Sequence, residues 1–490
     1  MSILIHSLYL KTIQDLAKKK KVPVYLVGGF LRDSFLNRPC ADFDFAVKKG
    51  AVPLARRLAD TIKGAFVLLD DEFGCGRVVI RQASNLARPR HPLKADGGKS
   101  RGEVFTFDFA DYRAPTFKQD LAHRDFTINT LAIDLQKISQ GLSESVLFSK
   151  KPLKDLKSRT IKMVSAKAFK EDPLRLLRAF SLRAQLDFKI EKKTLAQIKK
   201  DKDLIGNVSS ERIREEVFKI LSTPAAGQIL KEMDKIGLLE NIIPQISVMF
   251  NVKQGGYHHL DVWPHSLETV SQLDKVLEEF KDDRELNAYL NETLSGNHKR
   301  VEVLKLAALL HDIGKPKTKK KEDNGRMSFH GHEHVGRGIV RHIAKQLKLS
   351  THERHALEDM VLWHLRPGYL SNFKKPSERS VFRYFRDTKD EAASILVLSL
   401  ADQRSTRGPL TSEADQKHHQ KICLGVLKKY FDKKKEKPFV RLINGKDLIK
   451  KLKLEPSPLF GKILSAVDEA QVLGKITTKE EALELAKKVK

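Results

Sequence analysis

Cysteine, tryptophan and long apolar runs are scarce in this chain of 490 residues, which has only three cysteines and two tryptophans. Three widely spaced cysteines, Cys40, Cys75 and Cys423, make no disulfide framework, so we expect a reducing compartment. No apolar run approaches the roughly 18 to 20 residues of a membrane span, and the first segment places its charges after its apolar stretch, unlike a signal peptide. We expect a cytoplasmic protein with no membrane partner.

Acidic residues are also in deficit, with 62 Asp and Glu against 91 Lys and Arg, which gives a net charge of +29. Such an excess repels itself unless a polyanion neutralises it, so nucleic acid is the expected partner. A lysine-rich solvated surface is the alternative. Hydrophobic residues make up 41% of the chain, enough for globular domains, and the length favours roughly three or four of them.

The hydrophobic pattern divides the chain into an α/β portion and a helical remainder. Short strand-like runs alternate with helical stretches over 22–135, and helical periodicity dominates after Leu153. Composition shifts predict domains at 1–145, 146–250, 251–430 and 431–490, with KKYFDKKKEKP as a linker before the last. The basic segment 84–102, rich in Pro and Gly, is predicted to be a loop of unassigned role.

Two aspartates stand in the predicted strand DFDFAV. Because side chains alternate along a strand, Asp42 and Asp44 share one face while Phe43 and Phe45 pack into the core. Two carboxylates held side by side favour a divalent cation. The alternative is an edge strand with solvated aspartates.

A glycine turn precedes this pair. The strand VYLVGG ends at Gly28 and Gly29, and a helix that carries Arg32 follows. The turn leaves backbone N–H groups free beside a guanidinium, which predicts a cradle for a triphosphate.

A third carboxylate is available from another predicted strand, VFTFDFADYR, at Asp108. Two Mg²⁺ ions held by Asp42, Asp44 and Asp108 could activate a 3′-hydroxyl and stabilise the pyrophosphate that leaves an incoming nucleotide. The sequence therefore predicts nucleotidyl transfer.

Five motifs in order resemble the class II tRNA nucleotidyltransferases and their poly(A) polymerase relatives. They are GGFLRD, DFD, DLAHRDFTINTLAID (120–134), EDPLRLLRAFSLRAQLDF (171–188) and SSERIREEVF (209–218). The resemblance implies a head with a polymerase-β-like mixed sheet, followed by a mostly all-α neck and body.

The same resemblance implies which further residues bind the nucleotide. Arg124, Asp125 and Asn129 would handle triphosphate and ribose, Asp172 and Arg175 would read the base, and Arg178 would belong to the same site. A carboxylate and a guanidinium together offer acceptors and donors to a base edge. The alternative for Asp172, which precedes a proline, is a helix cap with Arg175 as its ion-pair partner.

Histidine is concentrated in the second half, where twelve of the 17 fall within 258–364. The segments VWPHSLETV, LAALLHDIGKPKT, SFHGHEHVG, VLWHLRPG and LSLADQRST resemble the HD phosphohydrolase superfamily. This resemblance implies an all-α HD domain with a divalent metal, of unspecified identity, on His265, His311, Asp312 and Asp402, and a second metal or a phosphate on His332 and His364. The alternative for each histidine alone is a satisfied core residue.

Together these patterns predict a template-independent RNA nucleotidyltransferase that uses CTP or ATP to add C or A residues to the acceptor end of tRNA. The HD domain predicts a second activity, a phosphatase or 2′,3′-cyclic phosphodiesterase, and a small helical tail ends the chain. The alternatives are a poly(A) polymerase, an enzyme that adds only CC or only A, a regulatory nucleotidyltransferase with an HD domain, and a noncatalytic RNA-binding relative.

Overall fold

The computed structural model describes residues 2–82, 103–140, 146–147, 150–436 and 439–489. The chain forms two compact units, residues 1–208 and 209–490. The loop predicted for 84–102 lies outside the described residues. The domain boundaries given by the sequence stay predictions.

The first unit is built on a seven-stranded mixed sheet in the order β3-β4-β5-β2-β1-β6-β7. The strands are β1 Val24–Val27, β2 Asp42–Val47, β3 Ala65–Asp70, β4 Cys75–Gln82, β5 Glu103–Asp111, β6 Ala132–Asp134 and β7 Val146–Leu147. Among the described strands of this sheet, β2 and β5 pair in parallel and the other neighbours pair antiparallel. This arrangement confirms the predicted α/β head with a mixed sheet.

Eight helices of the same unit surround the sheet or follow it. They are α1 Ser2–Lys20, α2 Gly29–Phe35, α3 Ala51–Ile62, α4 Phe117–Ala122, α5 Lys150–Lys157, α6 Ala168–Glu171, α7 Leu174–Leu186 and α8 Lys192–Asp201. A small parallel ladder joins β8 Thr160–Ile161 to β9 Lys189–Ile190. Helix α3 packs on β4 and β5 because its alanine and leucine side chains recur every three or four residues on one buried face.

The second unit is helical, as predicted for the chain beyond the head. Its helices are α9 Ser210–Leu221, α10 Ala226–Asp234, α11 Leu238–Ile242, α12 Val262–Glu279, α13 Arg284–Leu290, α14 Arg300–Leu310, α15 Lys315–Thr318, α16 His332–Gln346, α17 Thr351–Trp363, α18 Arg366–Ser371, α19 Glu378–Thr388, α20 Ala392–Ser405, α21 Glu413–Lys435, α22 Gly445–Leu452, α23 Pro458–Val472 and α24 Lys479–Lys488. Two short hairpins pair β10 Thr293–Ser295 with β11 His298–Lys299, and β12 Lys320–Lys321 with β13 Met327–Ser328.

Helix α20 is the central helix of this unit. Ten of its residues in sequence, from Ala392 to Ala401, are buried, and all but Ser394 and Ser399 are apolar, so it is enclosed on every side. It packs against α12, α14 and α21. A helix that is hydrophobic all round belongs in a core.

The predicted linker KKYFDKKKEKP is wrong for most of its length, because α21 continues through it to Lys435. Tyr430 and Phe431 are 7% and 8% exposed, and their burial against neighbouring helices holds the lysine-rich end in helical form. Within the described ranges, no helix combines the length and apolarity needed to cross a membrane.

Candidate active site and metal centre

Strand β2 presents its two aspartates on one face, as the alternation of side chains predicts. Phe43 and Phe45 are each 1% exposed and stack on phenylalanines of β5 with ring centroids 5.0 and 4.7 Å apart. Asp42 is exposed and Asp44 is half-buried on the opposite face. The stacked rings fix the side on which the carboxylates stand.

The pairing of strands β4 and β5 places the guanidinium of Arg77 beside Asp108, the third carboxylate. Asp108 on β5 pairs with Asp44 on one side and with Arg77 of β4 on the other. Arg77 donates two hydrogen bonds to Asp108, from Nε to Oδ1 and from Nη2 to Oδ2, both at 2.7 Å. Asp42 faces Thr106, whose hydroxyl donates to it. The three acids therefore have different partners.

The glycine turn lies against Asp44. Gly28 has φ 81°, and a Cβ at this position would lie 2.9 Å from Asp44 Oδ2, so a side chain is excluded by both backbone and space. Arg32, 8% exposed, donates to Asn129 Oδ1 at 2.8 Å and to Asp33 at 2.9 and 2.7 Å. Arg32 therefore holds the side chain of Asn129 in place.

Asp125 is the anchor of the next motif. Its carboxylate accepts hydrogen bonds from the backbone N–H of Phe126 at 2.7 Å and from Asn129 Nδ2 at 3.1 and 3.2 Å, and Arg178 Nε lies 3.0 Å away. Burial favours the neutral acid, but the Arg178 charge and these hydrogen bonds outweigh it and lower the pKa of Asp125. Asp125 is therefore ionised and fixed.

Arg175 is held at the start of α7. Its Nη1 donates to the carbonyl oxygen of Ala168 at 3.1 Å and its Nη2 to that of His123 at 2.6 Å. Asp172 accepts a hydrogen bond from the backbone N–H of Leu174 at 3.3 Å, in agreement with the alternative role as a helix cap. This hydrogen bond uses Oδ1 of Asp172.

A single cavity of about 270 Å³ collects ten of the twelve predicted head residues. They are Gly28, Gly29, Asp44, Asp108, Arg124, Asp125, Asn129, Asp172, Arg175 and Arg178. Asp42 and Arg32 do not line it. Residues that are spread from Gly28 to Arg178 in the sequence thus line one site.

The electrostatics of this cavity favour a cation beside Asp44. Burial raises the pKa of Asp44, the charge of Asp108 adds to this rise, and Arg124 opposes it. Arg124 Nε is buried without a hydrogen-bond partner. Carboxylate oxygens suit Mg²⁺, and an unsatisfied guanidinium suits a phosphate, so these residues fit a metal–nucleotide complex.

The predicted metal ligands of the second unit converge at helix ends. Among the described residues, two groups of three have ligand atoms within 4.8 Å of one another: His265, His311 and Asp312, and Asp312, His332 and His364. These five residues are at most 4% exposed. Asp402 joins the first group, since its Oδ1 lies 2.9 Å from His265 Nε2 and 3.6 Å from His311 Nε2.

Asp312 is shared by the two groups. Its Oδ2 lies 3.2 Å from His311 Nε2 and 3.6 Å from His265 Nε2. Its Oδ1 lies 3.3 Å from His332 Nε2 and 3.8 Å from His364 Nε2. One carboxylate can thus bridge two cations.

Three of these imidazoles are oriented by backbone. In His311, His332 and His364, Nδ1 bonds the carbonyl oxygen three residues earlier, at 2.9, 2.8 and 2.7 Å. Nε2 is thereby presented as the ligand atom. His311 Nε2 is buried without a hydrogen-bond partner of its own. Burial, followed by the charge of His332, lowers the pKa of His364 to about 3, which keeps its ring in the neutral form that binds metal.

Two neighbours of this centre were missed by the sequence analysis. Lys315 Nζ lies 2.7 Å from Asp312 Oδ2 and donates to Gln254 Oε1 at 2.6 Å. Its spacing of three residues from Asp312 was the signal that could have identified it. The other is His258, whose ring packs against His265 with centroids 4.8 Å apart.

Four family profiles match successive parts of the chain. A poly A polymerase head domain matches 24–162, a probable RNA and SrmB-binding site of polymerase A matches 187–250, an HD domain matches 262–407, and a putative tRNA nucleotidyltransferase domain 2 matches 434–486. The head cavity falls in the first match, except for Asp172, Arg175 and Arg178, which follow residue 162. The metal centre falls in the third match.

Similar proteins extend along nearly the whole chain. An A-adding tRNA nucleotidyltransferase of Deinococcus radiodurans is 31% identical over 465 residues, 93% of each chain. A CC-adding tRNA nucleotidyltransferase of Thermus thermophilus is 28% identical over 468 residues, 93% of this chain and 91% of its own. The solved CCA-adding enzyme of Thermotoga maritima, complexed with tRNA, has a TM-score of 0.59 at 20% identity and covers 98% and 94%, which indicates a shared fold.

Proposed function

This chain belongs to the class II tRNA nucleotidyltransferases that carry an HD domain, and we propose that it adds C residues, A residues or both to the tRNA acceptor end. It is therefore an enzyme of tRNA 3′-end nucleotide addition, with CTP or ATP as the proposed donor. Both its nucleotidyltransferase and HD families use divalent metals.

The observation that carries this proposal is the single cavity formed by residues of separate motifs. Asp42 and Asp44 would hold the metal of the head, which we propose to be Mg²⁺, and Asp108 stands next to them. A bound metal of this kind supplies a Lewis acid for the attacking 3′-hydroxyl and the departing pyrophosphate. Arg124, with its unsatisfied Nε, would bind the triphosphate.

Base selection would fall to Asp172 and Arg175. Two backbone carbonyl oxygens hold the Arg175 guanidinium, so its other N–H groups point in set directions. A fixed set of donors beside a carboxylate acceptor can distinguish base edges without a nucleic-acid template. Asp125 and Asn129, which are bound to each other, would position the ribose.

Labelled nucleotides test the proposal. The purified full chain is incubated with radiolabelled CTP or ATP and tRNA that ends before the first C, after CC, or after CCA. We expect incorporation into at least one of the two shortened tRNAs and none into complete tRNA. Incorporation of only C, only A or both would identify the product, long A tracts would indicate poly(A) polymerase activity, and no incorporation by folded protein would reject the function.

The HD centre supports a second candidate function, a metal-dependent phosphohydrolase. The supporting observation is that Asp312 is shared by two buried groups of ligands, an arrangement suited to a pair of divalent ions. We propose a phosphatase or 2′,3′-cyclic phosphodiesterase activity at this centre. Hydrolysis of p-nitrophenyl phosphate and 2′,3′-cyclic AMP, measured after EDTA and after return of each divalent metal, tests it. Absence of both activities with every metal would contradict the proposal.

We also propose the cytoplasm as the location of the protein. The three cysteines are free, which agrees with a reducing compartment. Fractionation of cells that express the chain would test this, and recovery with secreted proteins would contradict it.

A further inference from the structure

Arg77 of β4 has no part in the nucleotide-transfer scheme proposed above. It lies in a row of side chains that crosses three strands, with Arg77 on β4, Asp108 on β5 and Asp44 on β2. Neighbouring strands lie about 4.8 Å apart, so Asp108 can turn either to the acid on one side or to the guanidinium on the other. In this structure it turns to Arg77.

The contact engages both oxygens of Asp108. Arg77 Nε and Nη2 each donate at 2.7 Å, which is the parallel two-bond geometry of the strongest arginine–carboxylate pairs. The guanidinium is charged at every accessible pH, so a metal ion that approached Asp108 would meet a fixed positive charge.

A second observation agrees with this. Among the described residues, only the two groups of the helical unit bring three ligand atoms within 4.8 Å of one another, so the carboxylates of Asp42, Asp44 and Asp108 do not. The strand register alone would allow closer convergence, because Asp44 and Asp108 occupy paired positions. Both oxygens of Asp108 are bound by Arg77, so its side chain is directed towards β4.

We propose that Arg77 is a positioning residue that keeps Asp108 out of the metal site until a nucleotide arrives. This inference rests on the proposed function. The nucleotide-free head then holds one divalent ion on Asp42 and Asp44. The second ion enters with the triphosphate, whose oxygens supply most of its ligands, and only then competes with Arg77 for Asp108. The order prevents the empty head from binding two ions that would have no substrate to bridge.

Metal counting tests the inference without relying on activity. Mn²⁺ binding to the full chain is followed by the loss of the free-ion EPR signal, with wild type and Arg77→Met compared in the absence of nucleotide. We expect Arg77→Met to bind about one more Mn²⁺ ion per chain, because its third carboxylate is released. Ions on the HD centre cancel in the difference. A nonhydrolysable CTP analogue should raise the wild-type count and close the gap.

Arg81→Met is the matched control. Arg81 lies on the same strand and faces Val104, so its loss removes one positive charge without freeing a carboxylate. We expect a wild-type count for this variant. An equal gain in Arg81→Met, or an unchanged count in Arg77→Met, would overturn the inference. If thermal unfolding shows that Arg77→Met does not fold, Arg77→Gln takes its place with the same expected gain.

The outcome is distinguishable from failure of the proposed function. A wild-type protein that incorporates nucleotides while Arg77→Met binds no additional ion would refute the role of Arg77 alone. A wild-type protein that incorporates nothing would refute nucleotide addition.

Discussion

The head cavity and the HD centre differ in how their candidate metal ligands are carried and oriented. In the head, three carboxylates lie on neighbouring strands, Asp42 is exposed, and Asp108 is already bound to the guanidinium of Arg77. In the helical unit, imidazoles and one shared carboxylate are buried at helix ends, and backbone carbonyl oxygens orient three of the rings. On the proposals above, the first site would be completed by substrate, whereas the second would supply its own ligands.

The difference follows from the elements that carry the ligands. A helix end fixes a histidine through the carbonyl group three residues earlier, so the ring is oriented before any ion binds. A strand fixes only the face on which a side chain stands, so the direction of each carboxylate depends on partners such as Arg77 and Thr106. We therefore expect the helical unit to bind metal alone and the head to bind it fully only with a nucleotide.

Loss of a head carboxylate should separate the two sites most strongly. Asp42→Ala and Asp44→Asn should each lower nucleotide incorporation by about 10³-fold or more, because the metal loses a ligand that the substrate cannot replace. Phosphohydrolysis should be unchanged. Both rates are measured on the same preparation.

Asp60→Asn, which changes an exposed aspartate on α3, is the control and should behave as wild type. Normal incorporation by Asp42→Ala would show that the metal is held elsewhere and would remove the contrast between the two sites.

His311→Ala should give the reverse pattern. Removal of this imidazole should lower phosphohydrolysis by about 10²-fold or more and reduce the metal that copurifies with the chain, while nucleotide incorporation is retained. Metal content is measured by mass spectrometry beside both assays. His334→Ala, whose side chain is 71% exposed, is the control. Unchanged metal content in His311→Ala would contradict the assignment.

Gly314→Ala tests whether the HD centre depends on a close approach of backbone. A Cβ on Gly314 would lie 2.0 Å from the carbonyl oxygen of His332 and 2.7 Å from the backbone nitrogen of Gly336. Since backbone cannot yield as a flexible side chain can, we expect a loss of about 3 kcal/mol in the free energy of unfolding of the helical unit. Denaturant unfolding measures it.

Gly338→Ala is the matched control, because a Cβ on Gly338 in α16 meets nothing within 4 Å. It should be neutral or stabilising by up to about 1 kcal/mol. Equal destabilisation by both variants would mean that helix α16 tolerates no change, and the close approach at Gly314 would not be the cause.

The smallest effect is expected at a buried pair outside both sites. His298 Nδ1 lies 2.6 Å from Glu353 and Nε2 lies 3.4 Å from Glu215. Burial alone would lower the pKa of His298, but the hydrogen bond that its ring donates to Glu353 and the charge of Glu215 outweigh burial and raise it. The stabilisation is therefore complete below the unfolded-state pKa of about 6.5 and is lost as pH rises through the folded-state value.

The free energy of unfolding should be higher for the wild type than for His298→Asn, and this difference should be larger at pH 6 than at pH 9. The change in the difference should be up to about 1 kcal/mol. His342→Asn, on the exposed side of α16, should show no such dependence. A gap that widens with pH would contradict the pairing.

The sequence predicted the elements better than their lengths. The strand-like runs and the 3.6-residue period after Leu153 identified the α/β head and the helical remainder, because each pattern reflects which face is buried, whereas the mixed sheet was implied by the resemblance. The linker interpretation failed at Tyr430 and Phe431, since a run of lysines was weighed above two aromatic residues that pack in the core. Within the motif DLAHRDFTINTLAID, Thr127–Asn129 forms a 3-10 turn whose asparagine bonds Asp125, a local geometry that the hydrophobic pattern does not show.

Ligand chemistry was readable from motifs, whereas partners across the sheet were not. Asp42 and Asp44 were proposed as ligands from their residue type and alternation, and the histidines from the resemblance to the HD superfamily. Arg77 carries no local signal, since its role depends on which residue of β5 lies opposite, and that register is set by tertiary pairing. The burial of Arg175 against two carbonyl oxygens likewise required the approach of segments 52 residues apart in sequence.

The alternation of side chains along β2 determines what an error in its strand pairing would do to the head. This strand lies between β1 and β5, and a slip of one residue in its pairing would turn both acids into the apolar interior and both phenyl rings outward. A misaligned head would then be inert as well as unstable, with no partly competent form in between. Specific activity therefore reports the fraction of chains whose strands have paired in the native alignment.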